Sequence, residues 1–377
     1  MLQLLKFELY KIYKQKSIYI LFALLIAIMS TGGFVNRSNE QPIYQEYKRW
    51  EGKITADKIK ELDRIRGEID KKTDSTRELT FKERIMYSIA MVNDQQTNFT
   101  DDRNKEIALL KENIKEAPSG YEKREAVLKK DMLSRVDTSD FYYQKGPGIM
   151  MDMIYTFGFV ITAFMTIIGI GTIFSKEYSS GMDQFLLSSK YGRSKAVTAK
   201  ILASLIFILS VIIVWSLYSF AMATYSFGMH GWKSSLQWII QFNESPYPFS
   251  LSSTFAVMMT IHVIAALAFG LIVVFISAVS RKVTVSLLAS GVIFGLPLAL
   301  DTVLDFGGTK KVWVDRFISF SVYQFMKVKE LFAGFRTYNL FGIPVLQPIL
   351  AVVLSIILII LFWYMTKWVM RKKQVTV

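Results

Sequence analysis

The chain of 377 residues contains no cysteine, only two histidines, eight prolines and a charged fraction of just 20%. Without cysteine there is no disulfide framework, and two histidines are too few for a Cys/His metal site. The run G-x-x-x-x-G-K-[ST] is missing, so the chain cannot cradle ATP phosphates on a P-loop. H-E-x-x-H and G-x-S-x-G are missing as well, which removes the zincin and serine-hydrolase signatures. Acidic residues are outnumbered, leaving a formal net charge of +14. That excess has to be located along the chain before it is read as affinity for nucleic acid.

What is abundant is apolar: 52% of residues are hydrophobic and 14% aromatic. They gather into six blocks, 17–34, 149–174, 201–225, 255–279, 283–300 and 345–365, with charge almost wholly between them. A hydrocarbon core of about 30 Å takes roughly 20 helical residues at about 1.5 Å each. All six blocks reach that length, the first and fifth with little to spare. The fold class is therefore an all-α polytopic membrane protein with six transmembrane helices. The first block exceeds the apolar run of a signal peptide and no A-x-A site follows it, so it reads as an uncleaved anchor.

Lysine and arginine orient the spans. With the N-terminus inside, the inner segments carry 15 bases against three acids, Glu8, Glu177 and Asp183. Segment 36–147 carries 23 bases and 22 acids and is nearly neutral. The basic excess is thus a topology signal that puts both termini in the cytoplasm of a cell-membrane protein, and nucleic acid is not needed as a partner; the lipid bilayer is.

Segment 36–147 lies outside on this reading. Apolar residues recur at helical spacing, as Ile59, Leu62, Ile65 and Ile69; Ile107, Leu110 and Ile114; and Leu128, Met132 and Val136. Thr80-x-x-Glu83 and Ser119-x-x-Glu122 are capping boxes. The segment predicts an extracellular domain of three or four amphipathic helices, whose narrow stripes call for a partner surface or a second copy.

Within the spans His262 is the deepest ionisable residue, a candidate pathway residue by default, although a lone histidine bonded to a backbone carbonyl fits equally. Gly291 and Gly295 form a G-x-x-x-G that allows close helix contact. The outer loop 301–344 holds an aromatic stretch, 312–335, interrupted by Lys327, Lys329 and Glu330 and too charged for a seventh span. Residues 1–16 place Leu2, Leu5, Leu9 and Ile12 on one helical face and Lys6, Lys11 and Lys14 elsewhere, a basic amphipathic helix for the inner membrane surface. A short basic tail, 366–377, follows the last span.

The loop 175–200 is polar at both ends and apolar in the middle, with Met182, Phe185 and Leu186 at helical spacing. Its run Phe174-Ser-x-Glu177-Tyr178-x-x-Gly181-x-x-x-x-Leu186-Leu187-Ser, with Arg193 and Lys200 beyond, resembles the cytoplasmic coupling segment of ABC-2 type transporter permeases. The resemblance covers the whole chain as topology and about 27 residues as motif. Met182 stands where such permeases often carry threonine, and Ser189-Lys190 where a proline-containing turn is common.

The resemblance implies a permease of the type V exporter kind, coupled through Glu177, Tyr178, Gly181, Met182, Phe185, Leu186 and Arg193. It implies no catalytic residue and no cofactor or metal in this chain. ATP and Mg would be bound on a separate ATPase subunit, present in two copies. A second permease copy or a homologous permease completes the pathway, and 301–344 holds either short re-entrant helices, as in such permeases, or a plain interfacial aromatic belt. Glu177 and Arg193 bond either each other or the ATPase. Cargo of amphipathic or hydrophobic character follows, with antimicrobial peptide export or drug extrusion in self-protection. Two other classes stand beside this reading: a membrane-anchored signalling or scaffold protein acting through 36–147, and an ion-coupled carrier, for which the spans offer no buried carboxylate pair.

Overall fold

The computed structural model describes residues 1–33, 40–53, 55–73, 79–116, 120–307 and 312–373. The chain opens with α1 (Leu2–Tyr13), which packs along the span-three helix, and α2 (Lys16–Gly33). The two meet at a bend of 59°. Eighteen residues in α2 reach only about 27 Å. Among the described residues five other helices are each long and apolar enough to cross a membrane; α2 joins them as a sixth only when taken together with α1 as a bent pair.

The segment after α2 is mostly helical. It consists of α3 (Glu40–Lys48), β1 (Gly52–Lys53), α4 (Ala56–Thr73), α5 (Phe81–Glu116), α6 (Tyr121–Ser134) and β2 (Asp140–Phe141). The capping box at the head of α5 closes in both directions: Glu83 N–H donates to Thr80 Oγ1 at 3.3 Å, and Thr80 N–H donates to the Glu83 carboxylate at 2.9 Å. The second box begins at Ser119, outside the described residues. β1 and β2 pair antiparallel, Gly52 opposite Phe141. Leu62, Ile85, Ile89 and Phe141 form a small core that is completed by Trp238, from the loop between spans three and four. The partner surface that the narrow stripes require is thus supplied, at least here, by the same chain.

Span two is compound: α7 (Lys145–Met153), a π-helical turn at Ile154–Gly158, α8 (Phe159–Ile170) and then α9 (Ser175–Ser179). The π turn has a steric reason close by. A Cβ on Gly158 would lie 2.5 Å from the ring of Trp215, so the glycine lets span three approach. After α10 (Met182–Ser188) and a second π turn, Gly192–Ala196, span three is α11 (Val197–Phe227). Span four is α12 (Leu251–Val279), and span five is α13 (Val283–Gly307). Short helices α14 (Val312–Ser319), α15 (Val322–Lys327) and α16 (Lys329–Ala333) precede an antiparallel hairpin, β3 (Thr337–Leu340) and β4 (Ile343–Leu346). Span six is α17 (Gln347–Lys372). Residues 345–346, assigned to span six from their apolarity, are the end of β4, so the helix begins two residues later.

The aromatics of 312–335 divide into two sets. Tyr323, Phe325 and Phe332 are buried in the bundle core, whereas Trp313, Phe317 and Phe320 are exposed. Burial also ranks the spans: 67% of the apolar stretch of α12 is covered within the chain, against 22% for α13 and 17% for α17. The centre is therefore spans two, three and four, with five and six on the outside.

Candidate functional site

The junction at the end of span two is built around four charges, three of which are largely or wholly buried. Lys200, in the first turn of α11, has a side chain with no exposure at all. Its ammonium has three protons and three acceptors: Glu177 Oε1 at 2.6 Å, Glu8 Oε2 at 3.0 Å and the Ile173 carbonyl at 3.5 Å. Lys11 donates to the same Glu177 oxygen at 2.7 Å and lies 3.1 Å from Glu8 Oε2. Two carboxylates and two ammoniums sum to zero, and each is bridged to both opposite charges. That closure is what makes the cluster tolerable, since an unpaired buried charge is strongly destabilising. It fastens α1 to the end of span two and the start of span three.

On its other side α9 is fixed to span four. Ser277 Oγ accepts from the backbone N–H of both Phe174 and Ser175, at 3.0 and 3.2 Å. The Tyr178 hydroxyl donates to the Ala278 carbonyl at 3.2 Å. Lys373, just past span six, donates to the same carbonyl at 3.1 Å and sits 3.3 Å over the Tyr178 ring. Burial pulls the Lys373 ammonium down to about 8, with Arg281 adding repulsion and Asp183 partly opposing both. Consecutive residues thus face opposite ways: Glu177 towards α1 and α11, Tyr178 towards α12 and α17.

Gly181 is left-handed at φ +70°, the conformation that lets the chain turn between α9 and α10. On α10, Met182 and Phe185 are exposed (56% and 75%), Leu187 is buried, and Leu186 is half-buried. Arg193 is not paired with Glu177. Its Nε–H donates to the Leu187 carbonyl at 3.2 Å, capping the end of α10. Gly192 leaves no room for a side chain, because a Cβ there would fall 1.6 Å from the Leu186 carbonyl oxygen.

The other sequence candidates lie elsewhere. His262 is fully buried in α12 within a neutral node. Its Nδ1 is 2.8 Å from the Met326 carbonyl in α15, which can only accept, so Nδ1 carries the proton. Its Nε2, which then has no proton, is 3.2 Å from Thr162 Oγ1, and that oxygen accepts from Trp215 Nε1–H at 3.1 Å. The node therefore joins spans two, three and four to a short helix. Gly291 and Gly295 face open space: a Cβ at either position would meet no atom within 4 Å, so the pair makes no close helix contact among the described residues. Among the described residues no group of three or more histidine, aspartate or glutamate side chains is arranged to hold a metal ion.

Sequence reasoning picked out Glu177 but missed Glu8, Lys11 and Lys200. The available signal was small: Glu8 is the single acid in a basic helix, three residues before Lys11, and Lys200 borders a long apolar run.

Comparison with curated proteins and with solved structures gives no match. Residues 2–366 match the family model described as ABC-2 family transporter protein. With that match over nearly the whole chain and its set of apolar helices, the protein belongs to the ABC-2 transporter family, as a multi-pass membrane permease of the kind that pairs with an ABC ATPase subunit.

Proposed function

We propose that this chain is the membrane subunit of a two-component, ATP-driven exporter, in which 175–200 receives the motion of the ATPase. The bent pair α1–α2 counts as span one, both termini are cytoplasmic, and 36–147 stands outside. Two copies, or one copy and a homologous permease, form the pathway above two ATPase subunits that bind ATP and Mg. The transport cycle is alternating access of the type V exporter kind.

One observation carries the coupling role: the opposed anchoring of Glu177 and Tyr178. A push on the exposed face of α10 is transmitted to α9, and α9 is ion-paired to α1 and α11 on one side and hydrogen-bonded to α12 on the other. A closed ion network and a rigid helix end move as a unit, because separating any member leaves a buried charge unpaired. The apolar pair Met182 and Phe185 is the surface offered to the ATPase. Cargo is amphipathic or hydrophobic, an antimicrobial peptide or drug exported in self-protection.

The test begins with the permease solubilised in mild detergent and its stoichiometric partners identified by mass spectrometry. A P-loop ATPase at one copy per chain is expected, lost when Met182→Ser and Phe185→Ser are combined. Glu177→Gln is expected to retain the ATPase while cargo-stimulated ATP hydrolysis falls at least tenfold. An intact, monodisperse permease without an ATPase would overturn the proposal in favour of a membrane-anchored scaffold acting through 36–147.

A further inference from the structure

Between α1 and the span-two junction lies a cavity of about 830 Å³, a size typical of small-molecule sites. Its composition is graded. Leu4 and Phe7 line it from α1, and Met182 and Phe185 from α10. Gly169 and Ile173, near the end of the apolar run of span two, line it as well. Lys14 and Lys176 also line it, and both are exposed.

Charge accounting separates these two lysines from their neighbours. Glu8 and Glu177 also line the cavity, but both are consumed by Lys11 and Lys200. Lys14 and Lys176 make no ion pair among the described residues; Lys14 lies 5.3 Å over the Tyr10 ring. The groove therefore presents two uncompensated positive charges beside an apolar channel. Phe7 is 58% exposed and Phe185 75%, so the described residues leave the channel open on this side. An occupant must bring an anionic head and an apolar tail together. It must also reach a place where the end of a membrane span meets a basic interfacial helix, the level of lipid headgroups.

We infer that this groove is a binding site for one anionic phospholipid per chain, its phosphate between Lys14 and Lys176 and an acyl chain along Leu4, Phe7 and Ile173. A lipid held there contacts α1, the end of span two and α9 at once. The site therefore makes the junction sensitive to the anionic lipid content of the membrane, independently of cargo. The inference rests on family membership and on the groove itself, and not on the docking of the ATPase.

The experiment uses the full-length permease, stripped of lipid in a mild non-ionic detergent, with neither ATPase nor nucleotide present. Phosphatidylglycerol, phosphatidylcholine with the same acyl chains, and glycerol 3-phosphate are added in turn and followed by native mass spectrometry and thermal unfolding. One phosphatidylglycerol per chain is expected, retained about tenfold better than phosphatidylcholine, with a higher unfolding midpoint. Lys14→Gln with Lys176→Gln should bring the two lipids level; both lysines are exposed, so the fold is not at stake. Lys190→Gln, on the same loop but outside the groove, should change nothing. Equal retention of the two lipids by the unaltered chain, or full phosphatidylglycerol retention by the double variant, would overturn the site. Protection by glycerol 3-phosphate as strong as by the lipid would overturn it too, in favour of a plain anion site. Because no ATPase is present, none of these outcomes bears on the coupling proposal, and loss of ATPase co-purification would leave the lipid result standing.

Discussion

Two polar clusters hold the bundle together, and they are built from opposite materials. At the end of span two, Glu8, Lys11, Glu177 and Lys200 are all charged. In the middle of the spans, Thr162, Trp215, His262 and the Met326 carbonyl form a cluster joined by hydrogen bonds of neutral groups. The difference teaches where each kind of interaction is stable. Near the aqueous boundary, lysines and glutamates can enter as a closed set, because each ion retains several partners and part of the cluster stays hydrated: Glu177 is 13% exposed and Lys11 38%. Deep in the spans a full charge has no such support, and the chain uses groups whose desolvation costs far less. The charged cluster is brittle, since removing one member orphans another; the neutral one is weaker and more forgiving.

That contrast can be broken most severely at Lys200. Lys200→Met leaves Glu8 and Glu177 facing one another with only Lys11 between them, and should destabilise the detergent-solubilised protein by about 3–5 kcal/mol. Adding Glu8→Gln restores a balanced Glu177–Lys11 pair, and the double variant should recover more than half of the loss in unfolding midpoint. If the two changes instead add independently, the four residues are not one network.

A steric break at the neutral node comes next. Gly158→Ala drives a methyl group against Trp215 and should cost about 1–3 kcal/mol through overpacking. Thr162→Val keeps the shape but removes the oxygen that Trp215 and His262 share. It should cost about 1–2 kcal/mol, below the Lys200 effect, as read from the same unfolding curves. A Thr162→Val loss equal to that of Lys200→Met would erase the distinction between the two clusters.

The smallest effect concerns Lys373 beside Tyr178. Its folded value of about 8 lies below the ordinary 10.5, so between those limits the unfolded chain binds more protons than the folded one. Stability should therefore rise slightly as pH goes from about 8 to 10.5, and be flat below 8, where both states are protonated. Lys373→Gln should abolish that slope in thermal unfolding across the range.

Much of the architecture was legible in the sequence because a membrane turns hydrophobicity into length. Each apolar block from 149 onward lies within or largely overlaps a long apolar helix, and Thr80 and Glu83 announced the start of α5 through a local bond. The buried half of 312–335 was harder. Periodicity reports an amphipathic helix, but it does not say whether Phe325 and Phe332 meet lipid or protein, and here they enter the core. Arg193 was a natural partner for Glu177 by charge and proximity in sequence. It turned instead to the Leu187 carbonyl, which α10 leaves unsatisfied at its end.

The sequence by itself determined where the long apolar helices lie, the family it resembles, and which loop carries an apolar face between charges. Those properties are local, set by runs of residue types and by helical spacing. Only the tertiary structure decided which charges meet. Glu177 joins Lys11 across 166 residues and Lys200 across 23, and His262 reaches Met326 across 64. Pairing at such separations depends on which helices pack together, and packing is decided by shape, as at Gly158 against Trp215, before any charge or hydrogen bond can select its partner.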